Sequence, residues 1–293
     1  MRSCVITGAS TGIGEACARR LDAAGWRVFA GVRREEDAAR LRSGMSARMQ
    51  PIMLDVTDSR SIAAAAVSVR ATVGEEGLSG LVNNAGIAVA APLEYLPIDE
   101  FRRQIEVNVT GQLAVTQAFL PLLRKSRPAA GRLVLIGSIG GRVTTPFLGP
   151  YCASKFALEA IADALRVELQ PWNIDVSIVE PGSIATPIWS KGDESANRIA
   201  ARFPPEAQQL YGPAFAAMRE AAAAAGRRGI SPDVVAAVVE RALTSGRPRT
   251  RYLVGADAKL RARIGAIFSD RMRDRLLTRF LGLPPRGDRQ RSR

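Results

Sequence analysis

The sequence contains no histidine, and this absence removes several classes of enzyme at once. Without histidine there is no Ser-His-Asp or Cys-His catalytic centre, no histidine proton shuttle and no histidine-bound zinc. Only three cysteines are present, Cys4, Cys17 and Cys152, and their wide spacing fits neither a disulfide framework nor a metal site. A general acid or base must therefore be Tyr, Lys, Asp, Glu or Cys. We expect no metal and a reducing, cytoplasmic environment.

Long hydrophobic runs are also missing. No stretch approaches the roughly 18 to 20 apolar residues that a membrane-spanning helix requires. The first apolar run, within residues 2–8, soon ends in a glycine, so we interpret it as a core strand and not as a signal peptide. The hydrophobic content of 47% is enough for a substantial buried core.

The net charge of +13 is unevenly distributed. Residues 247–293 carry 14 Lys and Arg against 4 Asp and Glu, so most of the excess belongs to the C-terminal segment. No helix-turn-helix, zinc or RNA-binding signature accompanies it, and we therefore expect no nucleic-acid partner.

Short apolar runs alternate with helical stretches along the chain. Strands are predicted over residues 2–8, 26–32, 47–56, 78–86, 131–140, 174–182 and 251–255. Helices are predicted over residues 12–25, 35–44, 58–73, 99–125 and 151–170. This alternation predicts an α/β fold with a doubly wound parallel sheet, which binds ligands at the carboxyl ends of its strands.

A glycine-rich turn joins the first strand to the first helix, with Gly8, Gly12 and Gly14 in the run "VITGASTGIGEA". Glycines at this junction let the backbone approach a pyrophosphate at the helix N-terminus, although a tight strand–helix connection alone is the other interpretation. The second strand ends in "FAGVRRE", where Arg33 and Arg34 suit the 2′-phosphate of NADP. We therefore favour NADP(H) as the cofactor, with NAD(H) as the alternative. The other interpretation of the two arginines is that they only solvate the start of a helix.

Several motifs, in order and spacing, resemble those of the short-chain dehydrogenase/reductase family. The matching residues are "TGASTGIG" (7–14), "NNAG" (83–86), Asn108, Ser138, "YCASK" (151–155), and "PG" (181–182) with Thr186. The resemblance covers residues 1–255 and implies one catalytic domain with a Rossmann-type sheet in the order 3-2-1-4-5-6-7 and helices on both faces. It also implies a nicotinamide cofactor and hydride exchange between an alcohol and a carbonyl.

The resemblance assigns catalytic roles to four residues. Tyr151 would be the general acid/base, Lys155 would hold the nicotinamide ribose and lower the tyrosine pKa, Ser138 would bind the substrate oxygen, and Asn108 would anchor a water-linked proton relay. Elementary chemistry agrees, because the unperturbed pKa of tyrosine, about 10, requires a nearby cation to favour the phenolate. Residues four apart share one helix face, so Tyr151 and Lys155 can line one pocket. The alternative is a capping serine, a buried tyrosine and a surface lysine.

Further contacts are implied in the same way. Asp55 and Val56 resemble the adenine contacts, and the run after residue 181 would lie near the nicotinamide carboxamide. The expected cofactor-binding residues are Gly8, Ser10, Thr11, Gly12, Ile13, Gly14, Arg33, Arg34, Asp55, Val56, Asn83, Ala85, Gly86, Tyr151, Lys155, Pro181, Gly182, Ile184 and Thr186. The expected substrate contacts are Ser138, Gly140, Tyr151, Ile188 and Trp189.

Residues 183–230 form a long excursion rich in apolar residues, which we interpret as a substrate lid. It favours a hydrophobic substrate, unless its apolar residues only pack the lid onto the body. "GSIGGRVTTPFLGPYCASK" (137–155) and "TRYLVGADAKL" (250–260) are similar to the retinol dehydrogenase and 17β-hydroxysteroid dehydrogenase-like branch. The branch implies steroid-, retinoid- or long-chain-like alcohols and carbonyls.

The C-terminal extension has apolar residues at three- and four-residue intervals among many arginines, which predicts an amphipathic helix over residues 256–281. Three roles are open for this helix: it could close the substrate pocket, pack on a partner subunit, or lie on an anionic membrane surface as a peripheral contact. Residues 282–293 are expected to be a basic, disordered tail. In this family the helices at 99–125 and 151–170 pair between subunits, which implies a homodimer or homotetramer. A broad-specificity carbonyl or 3-oxoacyl reductase and a non-catalytic NADP-binding regulator remain the alternative functions.

Overall fold

Seven parallel strands form one sheet at the centre of the computed structural model, which describes residues 1–280. The strands are β1 (Ser3–Ile6), β2 (Arg27–Val32), β3 (Met49–Met53), β4 (Gly80–Asn83), β5 (Arg132–Ile136), β6 (Asp175–Pro181) and β7 (Arg251–Val254). Their order is β3-β2-β1-β4-β5-β6-β7, which confirms the predicted Rossmann-type sheet. The order reverses between β1 and β4, and a crevice at the carboxyl ends of the strands forms at such a reversal.

Helices cover both faces of the sheet. Within residues 1–280 they are α1 (Gly12–Ala23), α2 (Glu35–Ser43), α3 (Ser59–Val73), α4 (Ile98–Ile105), α5 (Gly111–Arg124), α6 (Gly149–Glu168), α7 (Ile188–Ala200), α8 (Pro205–Arg227), α9 (Pro232–Thr244), α10 (Ala256–Ile267) and α11 (Asp270–Phe280). One core layer packs α1, α2 and α9 against the sheet, and the other packs α3, α5 and α6.

The strands are apolar on both faces because each face packs against helices. In β5, Leu133 and Leu135 point to the layer of α3, α5 and α6, whereas Val134 and Ile136 point to the layer of α1 and α9. This alternation follows from the two-residue period of a strand. It explains why the sequence shows continuous apolar runs instead of alternating ones.

The predicted helix over residues 99–125 is not continuous. A π-helical turn, Glu106–Thr110, separates α4 from α5, and the amide of Gly111 bonds to the carbonyl of Glu106. Such a turn inserts one residue into the helix and shifts the side chains that follow it, and it is frequent near functional sites. Here it contains Asn108, whose side chain is completely buried.

The segment after β6 is more helical than the sequence predicts. The predicted lid, residues 183–230, contains α7 and α8, which we call the lid helices. The helix α9 is absent from the sequence-based assignment, although Ser231 caps it through the amide of Asp233 and Pro232 occupies its first turn. Serine followed by proline before an apolar stretch is a helix start signal, so this helix was predictable.

The predicted C-terminal helix over residues 256–281 is divided in two. Phe268 adopts an extended backbone conformation between α10 and α11, which ends the first helix at Ile267. Within residues 1–280 no helix combines the length and apolarity needed to cross a membrane. The predicted tail, residues 282–293, lies outside the described residues.

Candidate active site

A cavity of about 880 Å³ opens at the carboxyl ends of the strands, between the glycine turn and the lid helices. Most residues that the sequence assigns to the site line it. Four predicted site residues do not reach its wall: Gly14, Arg34, Asn83 and Asn108. The predicted residues that do line it are Gly8, Ser10, Thr11, Gly12, Ile13, Arg33, Asp55, Val56, Ala85, Gly86, Ser138, Gly140, Tyr151, Lys155, Pro181, Gly182, Ile184, Thr186, Ile188 and Trp189.

The glycine turn after β1 has the shape of a phosphate cradle. Gly8 and Gly12 have φ angles of +63° and +61°, a region that favours glycine. A Cβ atom at Gly14 would overlap the carbonyl oxygen of Gly8, so only glycine fits inside the turn. Thr11, which precedes α1, makes no side-chain cap, and the first amides of the helix stay open to an anion. These residues fit the pyrophosphate of a dinucleotide.

The "NNAG" motif supports this turn through Asn84, whereas the sequence assigns the neighbouring Asn83. The Asn84 Nδ2 donates to the carbonyls of Thr7 and Gly8, at 2.9 and 3.0 Å. The Asn83 side chain points the other way and donates to Thr116 Oγ1 of α5 at 2.6 Å. Adjacent residues at the end of a strand face opposite sides, and the tertiary structure decides which side holds the ligand.

The part of the cavity beside β2 and β3 contains one of the two arginines after β2. Arg33 lines the cavity, while Arg34 is the residue before α2 and is exposed outside the cavity. Asp55, at the end of the segment after β3, also lines it. Its carboxylate accepts hydrogen bonds from the amide and hydroxyl of Thr57, at 2.9 and 2.8 Å, which fixes the turn before α3.

Tyr151, Lys155 and Ser138 meet in the middle of the cavity. Tyr151 and Lys155 lie one turn apart at the start of α6, and Ser138 follows the carboxyl end of β5. The Lys155 Nζ lies 5.7 Å from the centre of the Tyr151 ring and donates to the Ile136 carbonyl at 2.8 Å. The Gly140 amide donates to Ser138 Oγ at 3.0 Å, which orients the hydroxyl.

The protonation of this group follows from burial. Burial raises the pKa of Tyr151 to about 12, against the lowering effects of a hydrogen bond with Ser138 and the charge of Arg261. Burial lowers the pKa of Lys155 to about 8, against the raising effect of Glu159. Tyr151 is therefore a protonated phenol near neutral pH. Lys155 is a cation there, and it loses its proton at a lower pH than an exposed lysine does.

Asn108 lies behind the cavity wall and is fully satisfied there. Its Oδ1 accepts from the Ile87 amide at 2.9 Å, and its Nδ2 donates to the Ile87 carbonyl at 3.1 Å and to Ser154 Oγ at 3.0 Å. Gln104, a residue that the sequence does not single out, accepts from the Val89 amide at 2.7 Å. Both side-chain amides hold the backbone of residues 87–89, part of which borders the cavity.

Two neighbouring carboxylates, the partly buried Glu159 and the buried Glu180, lie near Lys155. Glu180 of β6 is completely buried and accepts from Arg142 Nε at 2.8 Å, and Arg251 Nε lies 3.0 Å from Glu159. Burial and the adjacent Glu180 raise the pKa of Glu159 to about 7, against the lowering effect of Arg251. The sequence gives no signal for this group, because its members come from four distant segments.

The lid end of the cavity combines apolar and cationic residues. Ile188, Trp189 and Met218 line it, and the Trp189 indole donates to the Ile184 carbonyl at 2.6 Å. Six cationic side chains also line the cavity, and the apolar pattern of residues 183–230 does not predict them. Arg103 of α4 and Lys191, Arg198, Arg219 and Arg227 of the lid helices are five of them, and Arg261 of α10 is the sixth.

Comparison with known proteins assigns this fold and cavity to a family. A family model described as short chain dehydrogenase matches residues 2–197. The chain is 36% identical over 283 residues to an NADPH-dependent 3-dehydrocapnine reductase from Ornithobacterium rhinotracheale, covering 96% of this chain and 98% of that protein. It is 40% identical to mouse (Mus musculus) retinol dehydrogenase 5, covering 95% and 88% of the two chains. It is 42% identical to 17-beta-hydroxysteroid dehydrogenase type 6 from Bos taurus, covering 87% and 80%.

Solved structures agree with this assignment. A short-chain dehydrogenase from Streptomyces avermitilis superposes with a TM-score of 0.76 at 31% identity, covering 94% of each chain. A short chain dehydrogenase from Burkholderia cenocepacia in complex with NADP gives 0.70 at 28% identity, covering 97% and 100%. The chain therefore belongs to the short-chain dehydrogenase/reductase family, in the branch of the retinol and 17β-hydroxysteroid dehydrogenases. It is an NAD(P)-dependent oxidoreductase that acts on CH–OH groups.

Proposed function

We propose that this protein interconverts a hydrophobic alcohol and its ketone or aldehyde with NADP(H), using Tyr151 as the general acid/base. The observation that carries the proposal is the meeting of Tyr151, Lys155 and Ser138 in one cavity with the glycine turn. The nicotinamide supplies or accepts the hydride when it is bound. A binding protein without turnover has no need of this group of three.

In the direction of reduction, Tyr151 Oη donates its proton to the substrate oxygen, and Ser138 Oγ hydrogen-bonds the same oxygen. The Lys155 ammonium, held beneath the ring by the Ile136 carbonyl, stabilises the phenolate that remains. Because burial keeps Tyr151 protonated, the resting site is prepared to donate a proton. Asn108 positions the backbone after β4 through its contacts with Ile87 and, through Ser154, is connected to α6.

Arg33 at the cavity wall supports a preference for NADP(H), because a guanidinium suits the ribose 2′-phosphate. The relative from Ornithobacterium rhinotracheale is named as NADPH-dependent, and the Burkholderia cenocepacia structure contains NADP. The apolar residues of the lid helices, with relatives named for retinol and for a hydroxysteroid, support a hydrophobic substrate. A broad-specificity carbonyl or 3-oxoacyl reductase is the second candidate.

The test is NADPH oxidation with panels of steroid ketones, retinal, long-chain ketones and 3-oxoacyl esters. Rapid turnover of one lipophilic class supports the first candidate, and similar rates across all panels support the second. In Tyr151→Phe we expect turnover to fall by about 10²- to 10⁴-fold, the usual contribution of a general acid. NADPH affinity, measured by fluorescence titration, should stay within about twofold of the wild type, since proton transfer plays no part in cofactor binding. Retained turnover would refute the role of Tyr151.

An apolar stripe on α6 supports a homo-oligomer. Ala153, Phe156, Ala160, Ala164 and Val167 are exposed along one helix face, with Phe156 and Val167 at 43% and 57% exposure. Burying such a stripe against a second copy removes apolar surface from water. Light scattering on the wild type and on Phe156→Glu tests this, with a smaller assembly expected for the variant.

The place of the protein in the cell is proposed to be the cytoplasm, with a peripheral membrane contact through α11. This helix exposes Met272 and Leu276 among arginines, a composition that favours anionic lipid surfaces. Sedimentation with anionic liposomes, using the full chain and a chain that ends before residue 269, tests the contact. Equal pelleting of the two chains contradicts it.

A further inference from the structure

Six cationic side chains line the cavity, and their charge is only partly neutralised. Of these six, Arg103 and Arg198 share Glu100, at 2.7 and 3.4 Å. Arg219 pairs with Asp193 at 2.7 Å. Within residues 1–280 the three others, Lys191, Arg227 and Arg261, form no ion pair with a carboxylate. These three cations are therefore available to an anionic ligand.

Arg261 is the most buried of these three cations. Lys191 and Arg227 are exposed, whereas the Arg261 guanidinium is half-buried and donates from Nη2 to Thr145 Oγ1 at 2.9 Å. In the described part of the chain its Nε and Nη1 make no hydrogen bond to protein. The N–H groups of Nε and Nη1 therefore remain as charged donors, each able to form a charge-assisted hydrogen bond with an anion.

The helix α10 holds Arg261 firmly against the site. Asp257, one turn before Arg261, accepts from the Ser183 amide at 2.7 Å. The two residues therefore share one face of α10 and attach it to two loops, one after β6 and one before α6. The first helix of the C-terminal extension, α10, therefore contacts both loops, and its Arg261 forms part of the cavity wall.

Arg261 acts near the reacting end of the cavity. Its charge draws the pKa of Tyr151 downward, and it has the same effect on Cys152. Its hydrogen-bond acceptor Thr145 also lines the cavity, as does Leu148 a turn further along the chain. An anion bound by this guanidinium would therefore lie in the same cavity as the carbonyl that Tyr151 protonates.

We propose that Arg261 binds an anionic group of the substrate, and that the substrate is an amphiphilic acid. Its carbonyl or hydroxyl carbon lies within a few bonds of a carboxylate, sulfonate or phosphate, and its apolar chain lies along the lid helices. This inference rests on the proposed oxidoreductase function and makes its substrate more specific. Such a substrate would pair with the open donors of Arg261 and also pack against the apolar lid residues, whereas a neutral retinoid or steroid would leave the Arg261 charge without a partner.

The experiment compares two substrates that differ in one charge: 3-oxododecanoate and its methyl ester, each reduced with NADPH. Arg261→Gln should lower kcat/KM for the acid by about 10- to 100-fold, as expected for losing a charge-assisted hydrogen bond, and the loss should appear in KM. The ester should change by less than about twofold, because it has no charge to bind. Arg261→Lys keeps the charge and should retain most of the preference for the acid.

Arg263→Gln is the matched control, because Arg263 is on the same helix and is exposed outside the cavity. It should leave both substrates unchanged. An equal loss for acid and ester in Arg261→Gln would overturn the assignment, since it would indicate a structural role. A lowered affinity for NADPH would also overturn it, because the guanidinium would then bind a cofactor phosphate.

Binding without turnover separates this inference from the proposed function. Calorimetry of the NADP-loaded enzyme with dodecanoate and with dodecanol requires no reaction. Weaker binding of dodecanoate alone in Arg261→Gln supports the anion site even if neither ketone is reduced, an outcome that would contradict only the proposed reaction. Reduction of both ketones with an unchanged acid-to-ester ratio in the variant contradicts only the role of Arg261.

Discussion

Lys155 donates a hydrogen bond from Nζ to the carbonyl of Ile136 at 2.8 Å, and this contact fixes the ammonium beneath the Tyr151 ring. Ile136 is the last residue of β5, so the sheet itself positions the cation. The lysine is buried, and its pKa is correspondingly low. The position of the Lys155 ammonium relative to Tyr151 therefore depends on β5, which lies outside the "YCASK" motif.

The pH dependence of reduction should reflect Lys155. Because its pKa is about 8, the ammonium is present below that pH and is lost above it. Reductive kcat should stay level in the neutral range and fall as the pH rises beyond about 8, since the phenolate left on Tyr151 then loses its cation. Lys155→Arg keeps a permanent charge and should move the fall to higher pH. An identical profile for the variant would assign the fall to another group.

The pH dependence of stability should reflect Glu159. The folded protein holds a proton on this carboxyl up to a pH of about 7, whereas an unfolded chain releases it near the ordinary value of about 4.5. This contribution to the free energy of unfolding is therefore complete below about pH 4.5 and decreases as the pH rises towards about 7. Urea unfolding of the wild type and Glu159→Gln, at acidic and neutral pH, measures it. The wild type should lose more stability than Glu159→Gln over that interval, and parallel losses would contradict the assignment.

Gly14 should tolerate no side chain. A Cβ atom there would overlap the Gly8 carbonyl oxygen and lie 2.5 Å from the Asn84 Nδ2, so Gly14→Ala must displace backbone in the cradle. We expect a loss of about 1–3 kcal/mol in the free energy of unfolding. NADPH affinity should also fall, because the displaced amides no longer face the pyrophosphate. Gly246→Ala is the control, since nothing lies within 4 Å of its added Cβ. Equal effects of the two substitutions would contradict the crowding at Gly14.

The two arginines after β2 should differ in their effect on cofactor preference. Arg33 lines the cavity and Arg34 does not, so Arg33→Ala should raise KM for NADPH by about tenfold, the loss of roughly one charge-assisted hydrogen bond. KM for NADH should hardly change, because NADH has no 2′-phosphate. Arg34→Ala provides the matched control and should resemble the wild type with both cofactors. Steady-state kinetics with NADPH and NADH decide, and an equal effect on both cofactors would exclude a 2′-phosphate contact.

Local sequence patterns were sufficient to predict which backbone segments form the site. The glycine turn, the strand ends and the i, i+4 pair on α6 depend on short-range backbone geometry, which the sequence encodes directly. Other features of the site could not be predicted from the sequence. The sequence-based assignment chose Asn83, whereas the structure places Asn84 against the glycine turn. Which of the two adjacent amides faces the cavity depends on the packing of α5, where Asn83 bonds to Thr116. The π-helical turn at Asn108 and the break at Phe268 also depend on packing, since helical periodicity continues across both positions.

The sequence by itself determined the chemistry that is available: no histidine, a tyrosine and a lysine on one helix face, and a glycine turn at the first strand end. It also predicted a doubly wound parallel sheet, because alternating apolar strands and helices bury both faces of a sheet, whereas the strand order came from the resemblance to the short-chain dehydrogenase/reductase family. Only the tertiary structure decided what surrounds that chemistry. Arg261, Glu159 and Glu180 come from distant segments and meet near Tyr151 and Lys155, where burial and charge set the pKa values. Long-range contacts of this kind carry no periodic signature, since they are fixed only when the helices pack onto the sheet.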